Sequence, residues 1–377
     1  MFNEPIKVVP EDAKGNPNTV TYSSGAWMEK LADKYGPVWN EYRALFAGTN
    51  ELETADQVAN ELELPITLAV ELVNRCNLKC VMCWTDNHSL PRAFINLDVI
   101  ERELKAAYDK EKPIPAVVVG LGSEIMLSKD SRKIVELCKK YGVMDLFFGT
   151  NGVLLDSDMS TFLIESEVTR VEISLDAATR ETYQRIRGKD QFDKVKENVL
   201  NLIRLRKMAG KNLPVIRLCF VVQELNKHER KQFLNQWSGL VDYVDFQQLQ
   251  DTTKVNEFLG KNLNHFTSND ESDDLKRLET ERLLTSLNKE NIVSKSALFC
   301  PYPFNSLNVW SDGEITPCCC FFGKALSIGN IKDMSLEEAW VSRDLRDLRD
   351  EFLLQKVNRV CRSCLNRPES HREDFSL

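Results

Sequence analysis

Hydrophobic spacing divides the chain into an aromatic helical stripe, a long alternating region and a short cysteine-rich tail. From Ser24, Trp27, Leu31, Tyr35, Val38, Trp39, Tyr42, Leu45 and Phe46 recur at three- and four-residue steps, which predicts helix. A second short helix is expected near Thr54 to Asn60. Ahead of them, residues 1–22 carry Pro5, Pro10, Gly15 and Pro17 and read as extended and irregular. Residues 1–65 are therefore expected to be a mostly helical N-terminal extension. Its aromatic stripe would cover an edge of the main domain or meet a partner subunit.

From Ile66, short apolar runs alternate with amphipathic stretches. Strands are predicted at 66–73, 116–121, 145–150, 169–175, 215–222 and 242–249. Helices are predicted at 97–109, 128–141, 156–165, 179–207 (broken near Gly188) and 227–238. Six strands alternating with helices predict an α/β domain of parallel β/α units over residues 66–250. Such folds carry their chemistry on the loops that follow strand C-terminal ends. Residues 251–298 change character: Asn269-Asp270-Glu271-Ser272-Asp273-Asp274 is acidic and precedes a charged helical pattern near Leu275 to Leu287, which reads as a linker. Residues 299–377 form a small α+β unit. In it Asp312-Gly313, between Phe304–Trp310 and Glu314–Cys318, predicts a hairpin, and a helical pattern runs from Ser335 to Leu353.

Charge and composition narrow the classes. The net charge of −8 over 377 residues comes without a basic block of nucleic-acid size. Arg204-Leu205-Arg206-Lys207 reads as a solvated helix face. No signal layout opens the chain, and no run nears the roughly 18 apolar residues of a membrane span. A cytoplasmic protein that binds neither nucleic acid nor membrane is the expectation. Eleven cysteines, an odd number gathered in short groups, argue against a secreted disulfide framework and for metal. Cys138 and Cys219 stand alone in apolar settings and read as small buried hydrophobes. The four histidines show no ligand spacing.

Directly after the first predicted strand lies Cys76-Asn77-Leu78-Lys79-Cys80-Val81-Met82-Cys83. Three thiolates at C-x-x-x-C-x-x-C spacing can hold three corners of a cubane iron–sulfur cluster and leave the fourth iron without a protein ligand. Structural zinc normally takes four ligands, and a four-thiolate cluster run supplies a fourth nearby cysteine. The missing ligand implies a small molecule at iron. In the tail, the hairpin brings Cys300 near Cys318, and the helical pattern delivers Cys361-Arg362-Ser363-Cys364. Four thiolates from separated segments could hold zinc or a second iron–sulfur cluster, and spacing leaves both open.

The triplet at that position resembles the radical S-adenosylmethionine (SAM) superfamily, with Met82 where an aromatic residue usually stands. Companion motifs follow in order. Gly122-Ser123-Glu124 resembles the family's Gly-Gly-Glu segment, with Ser for the second Gly and Ile125 for the usual Pro. Thr150-Asn151-Gly152 ends the third strand, and Ser174-Leu175-Asp176 closes the fourth. Ala177 to Tyr183 with Ile186-Arg187-Gly188 is similar to the subfamily with cysteine-rich C-terminal domains, and Val221 to Glu229 resembles the segment near the adenosine. The resemblance covers residues 66–250 and implies a partial (β/α)6 TIM-like barrel. It implies Cys76, Cys80 and Cys83 as ligands of a 4Fe–4S cluster, and Gly122, Ser123, Glu124, Asn151, Ser174, Asp176 and Asn226 as contacts of SAM. It also implies reductive cleavage of SAM to methionine and a 5′-deoxyadenosyl radical that abstracts hydrogen from substrate, with a flavodoxin- or ferredoxin-type electron donor. Glu124 and Asp176 could instead cap helices, and Asn151 could simply shape a turn. Consecutive strand ends favour cofactor contacts for the carboxylates, whereas for Asn151 both readings stand.

Cys300, twelve residues, Gly313, four residues, Cys318 and a distant C-x-x-C are similar to the shortened "twitch" form of the SPASM domain. Ser370 and Asp374 occupy the positions of the full form's further cysteines. The resemblance implies one auxiliary 4Fe–4S cluster held by Cys300, Cys318, Cys361 and Cys364, and two clusters in all. Cys319 and Cys320 either pack against that cluster or donate a hydrogen atom to a product radical. The expected activity is oxidation or epimerisation of a polar small molecule resembling a sugar or aminocyclitol, as in natural product or glycan biosynthesis. The helical character of residues 1–65 favours it over modification of a ribosomally made peptide by crosslinking or epimerisation. A non-enzymatic iron–sulfur or zinc scaffold is the rival from another class.

Overall fold

The computed structural model describes residues 7–8, 19–23, 27–83, 92–249, 298–318 and 321–365. The expected linker at 251–298 lies outside them except for Leu298, as do Cys319, Cys320, Ser370 and Asp374.

The N-terminal region contains strands β1 (Lys7–Val8) and β2 (Thr19–Ser23) and helices α1 (Trp27–Tyr35), α2 (Pro37–Gly48) and α3 (Leu52–Glu61). The central region alternates β3 (Thr67–Val70), α4 (Leu97–Asp109), β4 (Ala116–Val119), α5 (Ser131–Lys140), β5 (Asp145–Thr150), α6 (Ser157–Glu165) and β6 (Arg170–Ser174). It continues with α7 (Arg180–Arg187), α8 (Phe192–Met208), β7 (Val215–Val222), α9 (Arg230–Trp237) and β8 (Tyr243–Gln248). The tail holds α10 (Tyr302–Asn305), β9 (Ser306–Val309), β10 (Glu314–Thr316), β11 (Gly329–Asn330), α11 (Leu336–Trp340), α12 (Arg343–Leu353) and α13 (Arg359–Leu365).

Strands β3 to β8 are parallel neighbours in chain order, as the alternation predicted. Their outward residues, including Val117, Leu146, Val171, Ile173, Ile216, Leu218 and Val244, join helix residues such as Ile100, Leu104, Ile134, Leu163 and Val199 in one core. β3 and β8 do not pair with each other, so the barrel is partial.

Three features depart from the sequence expectation. First, the stretch read as extended and irregular contributes two strands ahead of the three helices. β2 pairs antiparallel with β8 over five residues and β1 pairs with β2. An open sheet edge presents unpaired N–H and C=O groups, and β2 covers that of β8. Second, the aromatic stripe closes the barrel floor instead of covering an edge. Leu31, Trp39 and Tyr42 cluster with Ile66, Ala116, Met144, Leu213, Val215 and Tyr243, residues at or beside strand starts. The Tyr42 hydroxyl donates to Asp145 Oδ2 at 2.9 Å, and Arg170 forks onto the same carboxylate at 3.0 and 2.6 Å. The stripe is two helices because Gly36 adopts φ +63° before Pro37. Third, the tail shares the barrel's sheet: β9 runs parallel to β3, from Thr67↔Ser306 to Val70↔Val309, and β10 returns antiparallel. The predicted helix from Ser335 to Leu353 is likewise two helices, because the Ser335 and Ser342 side chains each cap a new N-terminus.

Candidate active site

The triplet loop follows β3 at the C-terminal mouth of the barrel and is held by the end of α7. The Val81 amide donates to the Ile186 carbonyl at 2.8 Å, and the Lys79 amide to that of Arg187 at 3.2 Å. Gly188 ends α7 in the left-handed region at φ +72°, where an added Cβ would lie 2.3 Å from the Lys79 carbonyl oxygen. Only glycine permits this approach. Lys189 Nζ donates to the Asn77 carbonyl at 2.5 Å. The Glu124 amide donates to the Arg75 carbonyl at 2.9 Å and ties the loop to the Gly122 segment.

Two donors aim at the thiols. Asn151 Nδ2 lies 3.5 Å from Cys76 Sγ and donates to Asn77 Oδ1 at 2.7 Å. Arg187 Nη1 lies 3.5 Å from Cys80 Sγ, and Nη2 meets Asp176 Oδ2 at 2.5 Å. Burial opposes the charge on Arg187, but Asp176 and Cys80 outweigh it and raise its pKa further. Burial pushes the Cys76 thiol up to about 11 and raises Cys80 as well, against the pull of Arg187. Cys83 is exposed at the rim. Such half-buried thiols become thiolates when positive metal offsets their charge.

This donor set fits a cluster. Among the described residues, no three His, Cys, Asp or Glu side chains converge as a single ion requires. A cluster needs no such convergence, because each thiolate takes a different iron. The Tyr183 hydroxyl, on a side chain 0% exposed, has no hydrogen-bond partner among the described residues. An orphaned buried donor on α7, one turn from Arg187, suits an acceptor that the polypeptide does not supply.

Three of the residues expected to touch SAM are buried and hydrogen-bonded within the chain. Glu124 is 1% exposed, and its oxygens accept from the Met126 amide, Thr150 Oγ1 and the Asn151 amide. Asp176, at φ +59°, is fully buried; Oδ1 accepts from the Val221 amide at 2.6 Å and Oδ2 faces Arg187. Asn226 is fully buried, donates to the Asp176 and Val221 carbonyls and accepts from the Gln223 amide. These three side chains are buried, and their polar atoms bind neighbouring loops around the mouth. Gly122, Ser123 and Ser174 are half-buried, and Asn151 is buried between Glu124 and the triplet.

Below the mouth, the inward face of β6, β7 and β8 is polar. Strand alternation and register put Glu172, Ser174, Arg217, Cys219, Asp245 and Gln247 on it together. Arg217 meets Glu172 at 2.9 Å and also pairs with Asp245, between the rings of Phe147 and Tyr243. Gln247 Nε2 lies 3.2 Å from Cys219 Sγ. Cys219 is therefore not in the apolar setting expected of it. Burial holds its thiol well above the usual value, and Glu172 and Asp245 add to this against Arg217.

The four tail cysteines flank β9 and β10, which follow β3 in the sheet. β10 ends at Thr316, level with Asn308 of β9 and so with Ala69 of β3, and Cys318 follows two residues on. Cys300 precedes α10 at the start of β9. α13, which carries Cys361 and Cys364, packs against the 3-10 turn Phe321–Leu326 that follows Cys318. None of the four is in a disulfide. Asn358 accepts from the Cys361 amide at 2.9 Å, capping α13, and its Nδ2 lies 3.6 Å from Cys361 Sγ. Arg187, Tyr183 and Asn358 went unassigned in the sequence. The Ala177 to Tyr183 segment, Ile186-Arg187-Gly188 and an Asn three residues before Cys361 are the signals that point to them.

Comparison with known proteins agrees with this geometry. The model of the radical SAM superfamily matches residues 70–236, and that of the SPASM iron–sulfur cluster-binding domain matches 300–365. These regions imply a 4Fe–4S cluster with SAM and additional iron–sulfur ligation. A probable GTP 3′,8-cyclase of Saccharolobus islandicus is 30% identical over 167 residues, 44% of this chain and 51% of that protein. An uncharacterized protein of Methanocaldococcus jannaschii is 28% identical over 196 residues, 52% of this chain and 60% of its own length. The matched segment thus spans about half the length of these curated relatives. Among solved structures, Streptococcus suis SuiB bound to its precursor peptide SuiA shares the fold with TM-score 0.52 and 17% identity, over 78% of this chain and 70% of that one. Native anSMEcpe with bound AdoMet does so with TM-score 0.53 and 20% identity, over 82% and 96%. The chain belongs to the radical SAM superfamily and carries that superfamily's SPASM/twitch iron–sulfur domain at its C-terminal end.

Proposed function

We propose that the chain is a two-cluster radical SAM enzyme acting on a C–H bond of a polar small molecule. In this reading Cys76, Cys80 and Cys83 hold the SAM-binding 4Fe–4S cluster, and Cys300, Cys318, Cys361 and Cys364 hold an auxiliary one. When bound, the first cluster supplies the electron that splits SAM into methionine and a 5′-deoxyadenosyl radical. The protein's part is to orient and exclude water. α7 and Asn151 fix the thiols, Glu124 and Asn226 hold the loops around the mouth, and the floor formed by Leu31, Trp39 and Tyr42 closes the far end. Gly122, Ser123, Glu124, Asn151, Ser174, Asp176 and Asn226 are the residues of the mouth that would meet SAM in this reading. Four cysteines leave no iron of the auxiliary cluster open, which favours electron transfer or a structural role in oxidation or epimerisation. Cys319 and Cys320 adjoin the ligand Cys318, where packing or hydrogen-atom donation are their two readings. A flavodoxin- or ferredoxin-type protein would supply electrons.

The observation that carries the substrate class is the inward wall of Glu172, Arg217, Cys219, Asp245 and Gln247. Buried ion pairs contribute little net stability, so such a wall is better explained by a polar ligand. One observation favours a second reading, modification of a ribosomally made peptide: β1 and β2 give residues 1–65 a strand-paired edge that the helical expectation lacked. Anaerobically reconstituted protein with dithionite and SAM should yield 5′-deoxyadenosine, and no product at full iron loading contradicts the proposal. Aminocyclitols and sugars should stimulate that yield and short peptides should not; the reverse would favour the peptide reading.

A further inference from the structure

Helix α7 is fixed at both ends. At its start, Glu229 accepts from the amides of Ala178 and Thr179 and from the hydroxyls of Thr179 and Thr182 at 2.5–3.2 Å. At its close, Gly188 admits the triplet loop. Between these anchors, Tyr183 and Arg187 are four residues apart and share one face of the helix. Each carries a buried donor, the Tyr183 hydroxyl and Arg187 Nε, without a hydrogen-bond partner among the described residues. Arg187 Nη1 already reaches Cys80 Sγ at 3.5 Å.

A buried hydroxyl with no acceptor is unfavourable, and phenylalanine would remove the penalty without changing the packing against Phe192, whose ring centroid is 5.8 Å away. The phenol is held as a donor: burial raises its pKa, with Cys80 and Cys76 adding to this and Arg187 opposing it. Tyr183 stands one helical turn before Arg187, whose Nη1 is 3.5 Å from Cys80 Sγ, so both donors belong to the helix face that meets the triplet loop. Acceptors at that place, outside the polypeptide, are the sulfur atoms of a cluster.

We propose that Tyr183 and Arg187 are positioning residues that donate hydrogen bonds to sulfur of the cluster held by Cys76, Cys80 and Cys83, and so raise its reduction potential. The inference rests on the reading of that triplet as a cluster site. One-electron reduction adds negative charge, and donors that stabilise the reduced form more than the oxidised form make it easier to reach. Asp176 pairs with the Arg187 guanidinium, so the oriented donors carry the effect.

The test is an EPR-monitored redox titration of the reconstituted full chain without SAM, comparing wild type with Tyr183→Phe and Arg187→Lys. Iron content and absorbance report separately whether the cluster is present. Tyr183→Phe should retain full iron and shift the triplet cluster by about tenfold in its one-electron equilibrium, about 59 mV to the negative side. The auxiliary cluster should stay where it is. Arg187→Lys keeps the charge beside Asp176 but loses the fork, and should shift the same cluster in the same direction. Thermal melting of the iron-free protein should be unchanged or higher for Tyr183→Phe. An unchanged potential at full iron in both variants overturns the inference. So does a lower melting temperature of iron-free Tyr183→Phe, since the hydroxyl would then have its partner within the chain. Failure of wild type to take up iron at the triplet would sink the underlying reading and the inference with it.

Discussion

The two cysteine groups belong to neighbouring parts of the same sheet, β3 and the β9–β10 hairpin, and are built in opposite ways. The triplet is one continuous loop, placed by β3 and clamped by α7 and Gly188. The tail cysteines come from three segments that only tertiary packing brings together: Phe299, Phe304 and Phe352 join Cys300 to α12, and Asn358 sets α13. A site on one loop survives damage elsewhere, whereas a site drawn from three segments depends on the fold around it. Openness follows the same division. On the proposed ligation, three ligands leave one iron available for SAM, and four close the auxiliary cluster.

The largest expected effects separate the two groups outright. Cys76→Ala should lower iron from about eight to about four per chain, the content of one remaining cubane, and reduce 5′-deoxyadenosine to background. Cys361→Ala should remove a similar amount of iron yet leave initial SAM cleavage in place. If both variants abolished cleavage alike, the division of labour would be wrong. Next, Phe352→Ala opens the aromatic cluster behind Cys300 and should destabilise the protein by about 3–5 kcal/mol. Auxiliary iron should be lost in preference to triplet iron, as read by denaturant unfolding and iron analysis of each signal.

The seam between the regions gives the next effect. Glu71, 2% exposed, accepts from the Ser311 amide and hydroxyl at 3.1 and 2.7 Å. Burial raises its carboxyl from 4.5 to about 7 against those bonds and Lys324, with Asp312 adding to the rise. Between those values the folded protein binds more protons than the unfolded chain. Stability is therefore full below pH 4.5 and lost as pH rises through 7, by at most about 3 kcal/mol. Glu71→Gln keeps an acceptor for Ser311 and should flatten this slope in melts from pH 4.5 to 8; an unchanged slope would exclude Glu71 as its source. The smallest effect is Asn358→Ala, which removes the α13 cap at about 1 kcal/mol and should speed chelator extraction of auxiliary iron only.

Local pattern carried the barrel. The spans of α4, β5 and β7 follow directly from their apolar periodicity, and the triplet was legible because its ligands and the preceding strand are contiguous. What sequence spacing could not convey was partnership across the chain. Nothing in Thr67–Val70 announces that β9 lies beside it, nor does the Trp39 stripe say that it closes the floor. Cys219 looked apolar because its sequence neighbours Leu218 and Phe220 face the helices, while its register partners Ser174 and Asp245 make its own face polar. Glu124, Asp176 and Asn226 stood at the right strand ends, but only coordinates show their atoms committed to other loops.

The contrast between an open and a closed cluster is tested most directly by EPR of the reduced, fully loaded protein with and without SAM. One of the two cluster signals should change on SAM addition, and that response should vanish in Cys76→Ala while persisting in Cys361→Ala. A response from both signals, from neither, or from the one that survives Cys76→Ala would contradict the account.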